Sequence, residues 1–292
     1  MIVITTPTGQ IGHQILAKIL DSGEPIRVIA RDPSRLDPKI RDRVEVVQGS
    51  HDEIDVVNKA FGGADCVFWL VPSNPSTNNS TEYYLDFTRP ACEAIKLQGV
   101  KRVVGVTSLG REFGKNAGLL SAAFAMEDLI ENTGVSYRAL RMPFFLENLL
   151  NQSKAIANQG MFFLPNSGDR KLSTVATSDI AEAAVKLLLD GSWSRQDSVL
   201  VVSPDELSPN EMAQVMSEVL ERPVRFQQVN SEDYKATMMQ RGMTEAWVQG
   251  MIDMAAAQDQ GIYDIDPRPS QSTTSTSFRQ WCEDVFKPAV LD

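Results

Sequence analysis

Histidine and cysteine are scarce in this 292-residue chain, and their scarcity removes whole classes of chemistry. The two histidines, His13 and His51, cannot build an H-E-x-x-H site, and no carboxylate cluster has ligand spacing, so no metal centre is expected. There is no local signature of a Ser-His-Asp arrangement either. Three cysteines, Cys66, Cys92 and Cys282, form no C-x-x-C pair. Cys66 and Cys92 lie in apolar patterns, which predicts buried thiols. Basic residues are in deficit, 28 against 38 acidic, and the net charge of −10 disfavours nucleic acid or an anionic membrane as the main partner. An anionic ligand would therefore need a local cationic pocket. No apolar run approaches the roughly 18–20 residues of a membrane span. No basic region precedes an apolar stretch at the N-terminus, so no signal peptide is expected, and a reduced cytoplasmic location fits.

What is present begins at the first residue. The apolar run Ile2-Val3-Ile4 breaks into Thr6-Pro7-Thr8-Gly9-Gln10-Ile11-Gly12. Ile11, Ile15, Leu16, Ile19 and Leu20 then recur at helical spacing, and Ile26-Arg27-Val28-Ile29-Ala30 ends at Arg31. This is strand, glycine turn, helix and strand. Further strands are predicted at Val44–Gln48, at the continuous apolar run Cys66–Val71, at Val103–Thr107 and at Ser136–Leu140. Helices at Ile54–Ala60, Thr81–Gln98 (kinked at Pro90) and up to about Asn132 separate them. Such alternation predicts a doubly wound parallel α/β sheet.

Beyond Arg141 the pattern loosens. Phe145–Asn158 reads as a helix, Gly160–Gly168 as a loop, Ser178–Leu189 as a helix, Val199–Val202 and Val224–Val229 as strands. Helices follow near Ser231–Gln240 and Thr244–Ala257. Ser208-Pro209-Asn210-Glu211 is a capping box, and Ser277-Phe278-Arg279-Gln280 resembles one that starts a last helix ended by Pro288, after a Ser/Thr-rich stretch from Ser270 to Ser277. Residues 1–150 are read as a nucleotide-binding Rossmann core. Residues 151–292 are read as a smaller, mainly helical part, packed on the C-terminal edge of the sheet where ligands of such sheets bind.

The turn departs from G-x-G-x-x-G: it has glycine at Gly9 and Gly12, with Thr6 at the first position. Gly9 would let the backbone approach a pyrophosphate, Gly12 would let the helix pack closely, and the Thr6 or Thr8 hydroxyl can bond a phosphate. Arg31, at the tip of the second strand, suits the 2′-phosphate of NADP(H), whereas a carboxylate would suit the 2′-hydroxyl of NAD(H). Asp32 beside it leaves NAD(H) open as a second cofactor. Ser50 and His51, leaving the third strand, would lie beside the adenine, and His13 reads as structural. Tyr83, Tyr84 and Tyr137 are candidate acids, with Tyr137 favoured as core. The carboxylates of Ala123–Asp128 are expected to face solvent or cap neighbours. Tyr83, Phe144, Phe145 and Trp247 are candidates for an apolar substrate pocket, although packing is the default for each.

Together, the opening Ile4–Gly12, Arg31-Asp32-Pro33, Gly49-Ser50, Glu127–Leu149 with its Gly134-x-x-Tyr137, Leu140-Arg141 and Glu147-Asn148, and Thr177–Ala181 resemble the NmrA-like family of atypical short-chain dehydrogenase/reductases. The resemblance implies that Thr6, Thr8, Gly9, Gln10, Ile11, Gly12, Arg31, Ser50, Leu70, Val71, Pro72, Met142 and Pro143 contact the dinucleotide. The family usually has glycine at the position of Thr6 and an acidic residue at that of Ser50. The Tyr-x-x-x-Lys pair of the wider superfamily falls, by spacing, on Leu119 and Ala123, neither of which carries a proton. The expected activity is NAD(P)H-dependent reduction, NADPH favoured, of an apolar or aromatic acceptor such as a quinone, azo or dye-like compound, which needs little acid assistance. The alternative is a non-catalytic NAD(P)-binding redox sensor that regulates a protein partner.

Overall fold

Apolar runs that carry no polar alternation must be covered on both sides, and the first half of the chain achieves this with one parallel sheet. The computed structural model describes residues 1–266 and 274–291. β1 (Ile2–Ile4), β2 (Ile26–Ala30), β3 (Glu45–Gln48), β4 (Cys66–Trp69), β5 (Arg102–Ser108) and β6 (Ser136–Met142) run parallel. A seventh strand, Gln196–Leu200, joins β6, so the order is 3-2-1-4-5-6 followed by that strand. Strand order reverses between β1 and β4, which opens a crevice at their C-terminal ends.

Successive residues of β1 serve opposite faces. Val3 meets the layer made by Ile54–Phe61 and its neighbours, where Val57, Phe61, Ala91, Ile95, Met126 and Ile130 are buried. Ile2 and Ile4 meet the other layer with Ile15, Leu16 and Ile19. In chain order the helices flanking the sheet are α1 (Gly12–Ile19), the single turn α2 (Pro38–Arg41), α3 (Ile54–Phe61), α4 (Ser80–Gln98, running through Pro90) and α5 (Leu119–Glu131).

The second half differs more from expectation. Phe145–Asn158 is not one helix: β7 (Phe144–Phe145) is followed by a 3-10 stretch, Leu146–Gln152, and only then α6 (Ser153–Gln159). The expected loop Gly160–Gly168 contains β8 (Met161–Leu164), and a further strand, β9 (Leu172–Val175), follows it. α7 (Thr177–Leu189) packs Ile180, Ala184 and Leu188 beside α1 under the main sheet, and β10 (Gln196–Leu200) is the seventh strand named above. A boundary near residue 150 therefore does not separate the sheet from the rest. The strand expected at Val199–Val202 starts earlier because β10 is an edge strand, where Gln196, Asp197 and Ser198 can stay near solvent.

The remaining elements are β11 (Glu206–Leu207), α8 (Pro209–Leu220), β12 (Arg225–Gln228), α9 (Ser231–Gln240), α10 (Glu245–Asp259), α11 (Phe278–Trp281) and α12 (Lys287–Leu291). α8 starts with the complete Ser208/Glu211 capping box. Ser277 caps α11 through the Gln280 N–H at 3.1 Å, but Pro288 does not end the last helix. It lies inside a continuous helical run, in which a π-helical turn, Cys282–Phe286, joins α11 to α12 just before the proline whose N–H is missing. β8 and β12 pair in parallel, while β9 pairs with β7 and β11. Their side chains share a core with Met212, Met216, Trp281 and Phe286. The Ser270–Ser277 stretch falls partly outside the described residues. Among those described, no helix is long and apolar enough to cross a membrane.

Candidate functional site

All seven strands of the main sheet are parallel, so their C-terminal ends share one edge. The glycine turn leaves that edge at β1. The Gly9 N–H donates to the Thr6 carbonyl oxygen at 3.0 Å, folding the turn back on itself. A Cβ on Gly12 would stand 2.0 Å from the same oxygen, so only glycine fits where α1 begins. Thr6 has φ of 52°, a left-handed conformation that is strained for a β-branched residue. Its Oγ1 is buried and finds no partner among the described residues. The neighbouring Thr5 hydroxyl is spent differently: Oγ1 donates to the Phe68 carbonyl oxygen at 2.9 Å and accepts from the Leu70 N–H at 3.2 Å. This bond ties the exit of β1 to that of β4. Ile11 precedes α1 without a side-chain cap, which leaves the helix's N-terminal dipole facing the crevice, and Thr8 and Gln10 are exposed there. A tight turn, an orphaned hydroxyl and an uncapped helix start are what a dinucleotide's phosphates require.

Arg31 stands exposed just past β2, and no carboxylate among the described residues forms an ion pair with it. Asp32 does not compete. Its Oδ1 accepts from the Ser34 N–H at 3.0 Å and the Ser34 hydroxyl at 2.6 Å, and those bonds hold the carboxyl below its usual range. The end of β2 therefore presents a cation.

Ser50 is half-buried, as are Leu70 and Pro72, while Val71, Met142 and Pro143 are buried. His51 turns inward. Its Nε2 donates to the Leu70 carbonyl oxygen at 3.0 Å, and its ring packs edge-on against Trp69 and Phe87, with centroids 5.2 and 4.6 Å away. Burial lowers its pKa from 6.5 to about 4. Between those values the unfolded chain binds a proton that the folded protein refuses, so stability is full above pH 6.5 and falls as pH drops toward 4. The loss is at most ~3 kcal/mol. Urea titrations across this interval should show that slope, and His51→Leu should flatten it; an unchanged slope would assign it to another group. His13 is exposed, with Nδ1 2.8 Å from the Gly9 carbonyl oxygen.

Two cavities open near this edge. One, of about 450 Å³, lies between Asp52 beyond β3, the loop Thr77–Asn79 and the start of α4 with Tyr83 and Phe87. The Tyr83 hydroxyl donates to the Pro72 carbonyl oxygen at 3.0 Å. The other, of about 190 Å³, includes Leu109 after β5, Leu200 at the end of β10, Val202 and Tyr263. Neither cavity brings Tyr83, Phe144, Phe145 and Trp247 together. Phe144 packs against the cluster of Leu109, Val202 and Tyr263, Phe145 against the α1/α7 layer, and Trp247 is buried in α10. Leu119 packs on Gly250 of α10, and the Ala123 carbonyl accepts from the Thr107 hydroxyl at 3.4 Å, so those two positions supply no acid.

Of the two carboxylates in Ala123–Asp128, Asp128 is exposed as expected, but Glu127 neither faces solvent nor caps a neighbour. The Glu127 side chain is wholly buried, and its Oε1 accepts from Arg111 Nη1 at 2.7 Å and Arg141 Nη2 at 2.8 Å. Arg111 also reaches Asp128 and Glu131. Glu147, likewise buried, accepts the Thr177 N–H at 3.0 Å and the Trp281 Nε1–H at 3.3 Å, joining α7 to α11. Its place beside Asn148 in the recurring Glu-Asn was the only sequence signal for it. All three cysteines are free and buried, and burial pushes the Cys66 and Cys92 thiols up to about 12. Among the described residues no group of side chains could hold a metal.

Known proteins share this architecture. A 27%-identical relative, the NAD(P)H azoreductase of Xenophilus azovorans, aligns over 256 residues, 88% of this chain and 86% of that one. The crystal structure of an NADPH-dependent quinone oxidoreductase from Escherichia coli, in complex with NADPH, superposes with a TM-score of 0.81 at 20% identity, covering 98% of this chain and all of that one (100%). The triphenylmethane reductase of Citrobacter sp. complexed with NADP(H) gives 0.75 at 22% identity, over 100% of this chain and 99% of that one. The profile of the NmrA-like family matches residues 1–282, and the chain belongs to that family.

Proposed function

We propose that the protein is an NAD(P)H-dependent oxidoreductase, with NADPH favoured, that reduces an apolar or aromatic acceptor such as a quinone or azo compound. The unpaired Arg31 at the tip of β2, facing the same edge as the uncapped start of α1, carries the cofactor preference. The activities for which the azoreductase, quinone oxidoreductase and triphenylmethane reductase are named support the acceptor class. In this reading the first turn of α1 and the Thr6 hydroxyl receive the pyrophosphate, Arg31 receives the 2′-phosphate, and the β4 exit from Leu70 to Pro72 with Ser50 flanks the adenosine. NADPH bound there supplies the hydride. The chain's own work is to orient donor and acceptor and to exclude water.

Arg31→Asp tests the preference. Exchanging a charge-assisted contact for repulsion should weaken NADPH by about 100-fold and NADH by less than about threefold, read by cofactor titration. Equal losses would remove Arg31 from the site. A panel of quinones and azo dyes with NADPH tests the reaction. Tight NADP(H) binding without turnover of any of them would overturn it in favour of a non-catalytic sensor.

A further inference from the structure

The smaller cavity is lined by a tyrosine, Tyr263, whose hydroxyl hydrogen finds no acceptor among the described residues. Asn166, Gln258 and Tyr263 form a buried polar chain, with exposures of 3%, 4% and 7%. The Asn166 Nδ2 group faces the Ala255 carbonyl oxygen at 3.3 Å and an Asp259 carboxylate oxygen at 3.4 Å. Both are acceptors, so this atom is the NH₂. It also donates to Gln258 Oε1 at 3.0 Å, which fixes the Gln258 amide with its Nε2–H₂ toward Tyr263. Gln258 Nε2 then donates to Tyr263 Oη at 2.9 Å. The phenolic oxygen is thereby an acceptor in that bond, and its own hydrogen remains for something else. No acceptor for it is found among the described residues.

Tyr263 lines the cavity with Leu109 and Leu200, which follow or end strands of the main sheet, so the cavity opens at the edge that bears the glycine turn. The tyrosine is held there firmly. A Cβ on Gly110, which has φ of 86°, would meet Ile262 Cγ1 at 2.2 Å, and the Gly110 N–H donates to Asp266 at 2.6 Å. Three carboxylates also line the cavity, and each is engaged: Asp266 by Arg141, Asp264 by Arg170 and Glu206 by the Ser173 hydroxyl. At about 190 Å³ the cavity is smaller than the ~300–1,000 Å³ of sites for drug-sized ligands, which suits one or two rings, or one end of a longer dye.

Building on the reductase reading above, we propose that this cavity receives the electronegative end of the acceptor, an aromatic carbonyl or azo nitrogen. There the Tyr263 hydroxyl donates a hydrogen bond to the atom that gains negative charge. Two-electron reduction adds a hydride and a proton to the acceptor; the proton comes from water, and Tyr263 begins and ends as the phenol. Burial pushes that phenol up to about 12, so it remains a neutral donor across the working range. A preorganised donor in a dry site is worth most where charge develops.

The test uses the full chain, with and without NADP⁺, and 4-nitrophenolate as an oxyanion probe followed by its absorbance. Tyr263→Phe keeps the ring and removes the donor, and Gln258→Glu replaces a donor by an acceptor that turns the hydroxyl hydrogen away from the cavity. Both should weaken the probe by about 10- to 100-fold and lower the turnover of a one-ring quinone similarly, with NADPH affinity unchanged. A purely structural Tyr263 would lower the melting temperature without this binding change. Equal affinity in wild type and variants, or no saturable binding by the wild type, overturns the assignment. Probe binding that depends on Tyr263 in a protein with no quinone or azo turnover would support it while overturning the proposed reaction.

Discussion

Glu127→Ala should lower the free energy of unfolding by about 3–5 kcal/mol, among the largest losses expected from a single side chain in this protein. The carboxylate is completely buried, and the arginines that meet it are 20% and 14% exposed, so solvent does little to screen them. Removing it leaves two guanidinium groups without the buried acceptor they share. Arg111 keeps Asp128 and Glu131, but among the described residues Arg141 keeps only the longer 3.5 Å contact to Asp266, so most of the cost falls on Arg141. Glu127→Gln retains one acceptor oxygen and should cost less. In thermal melts the alanine variant should lose roughly 10 °C. A loss below about 1 kcal/mol would mean that both guanidiniums reach water in the native protein. Because Arg141 also contacts Asp266, whose other carboxylate oxygen accepts the Gly110 N–H, the variant should loosen the segment that carries Tyr263 as well.

The contrast between Glu127 and Arg31 shows what a sequence can disclose. Arg31 is placed by contiguous residues: a strand must end where its apolar run ends, and the next residue is at the sheet's edge. The same holds for the glycine turn, and for β1 and β4, whose burial on both faces writes itself as uninterrupted apolar runs. Glu127 is justified only by arginines 16 residues before it and 14 after it, on other elements, so in its own helix it reads as an ordinary exposed carboxylate. His51 fails in the same way. Its position after β3 points to the crevice, yet rings from β4 and α4 draw it inward. The smaller cavity draws on residues as separated as Leu109, Leu200 and Tyr263, so no local pattern announces it or Tyr263. β10 begins before its apolar residues because an edge strand tolerates the polar Gln196-Asp197-Ser198 that a central strand would not.

Gly12→Ala and Gly9→Val should separate the turn's structural work from its binding work. The Cβ of an alanine at 12 would lie 2.0 Å from the Thr6 carbonyl oxygen, 2.8 Å from its carbon and 3.2 Å from the Pro7 Cα, all of them backbone. Either α1 or the turn must move. α1 is held by Ile15, Leu16 and Ile19, which are fully buried, so the turn is displaced and with it the N–H groups at the helix start. Gly12→Ala should therefore lower the melting temperature and weaken NADP(H) by more than about 100-fold together. At Gly9 the nearest atom to an added Cβ is the Thr6 carbonyl oxygen at 3.3 Å, a contact relieved by a shift of tenths of an ångström. Gly9 is half-buried, and the valine methyls would project where the pyrophosphate must approach. Gly9→Val should keep the melting temperature within a few degrees and still lose dinucleotide binding, measured by calorimetric titration with NADP⁺. Retained binding in that variant would make the turn a packing device alone, and the anion site would then have to be sought elsewhere along the edge.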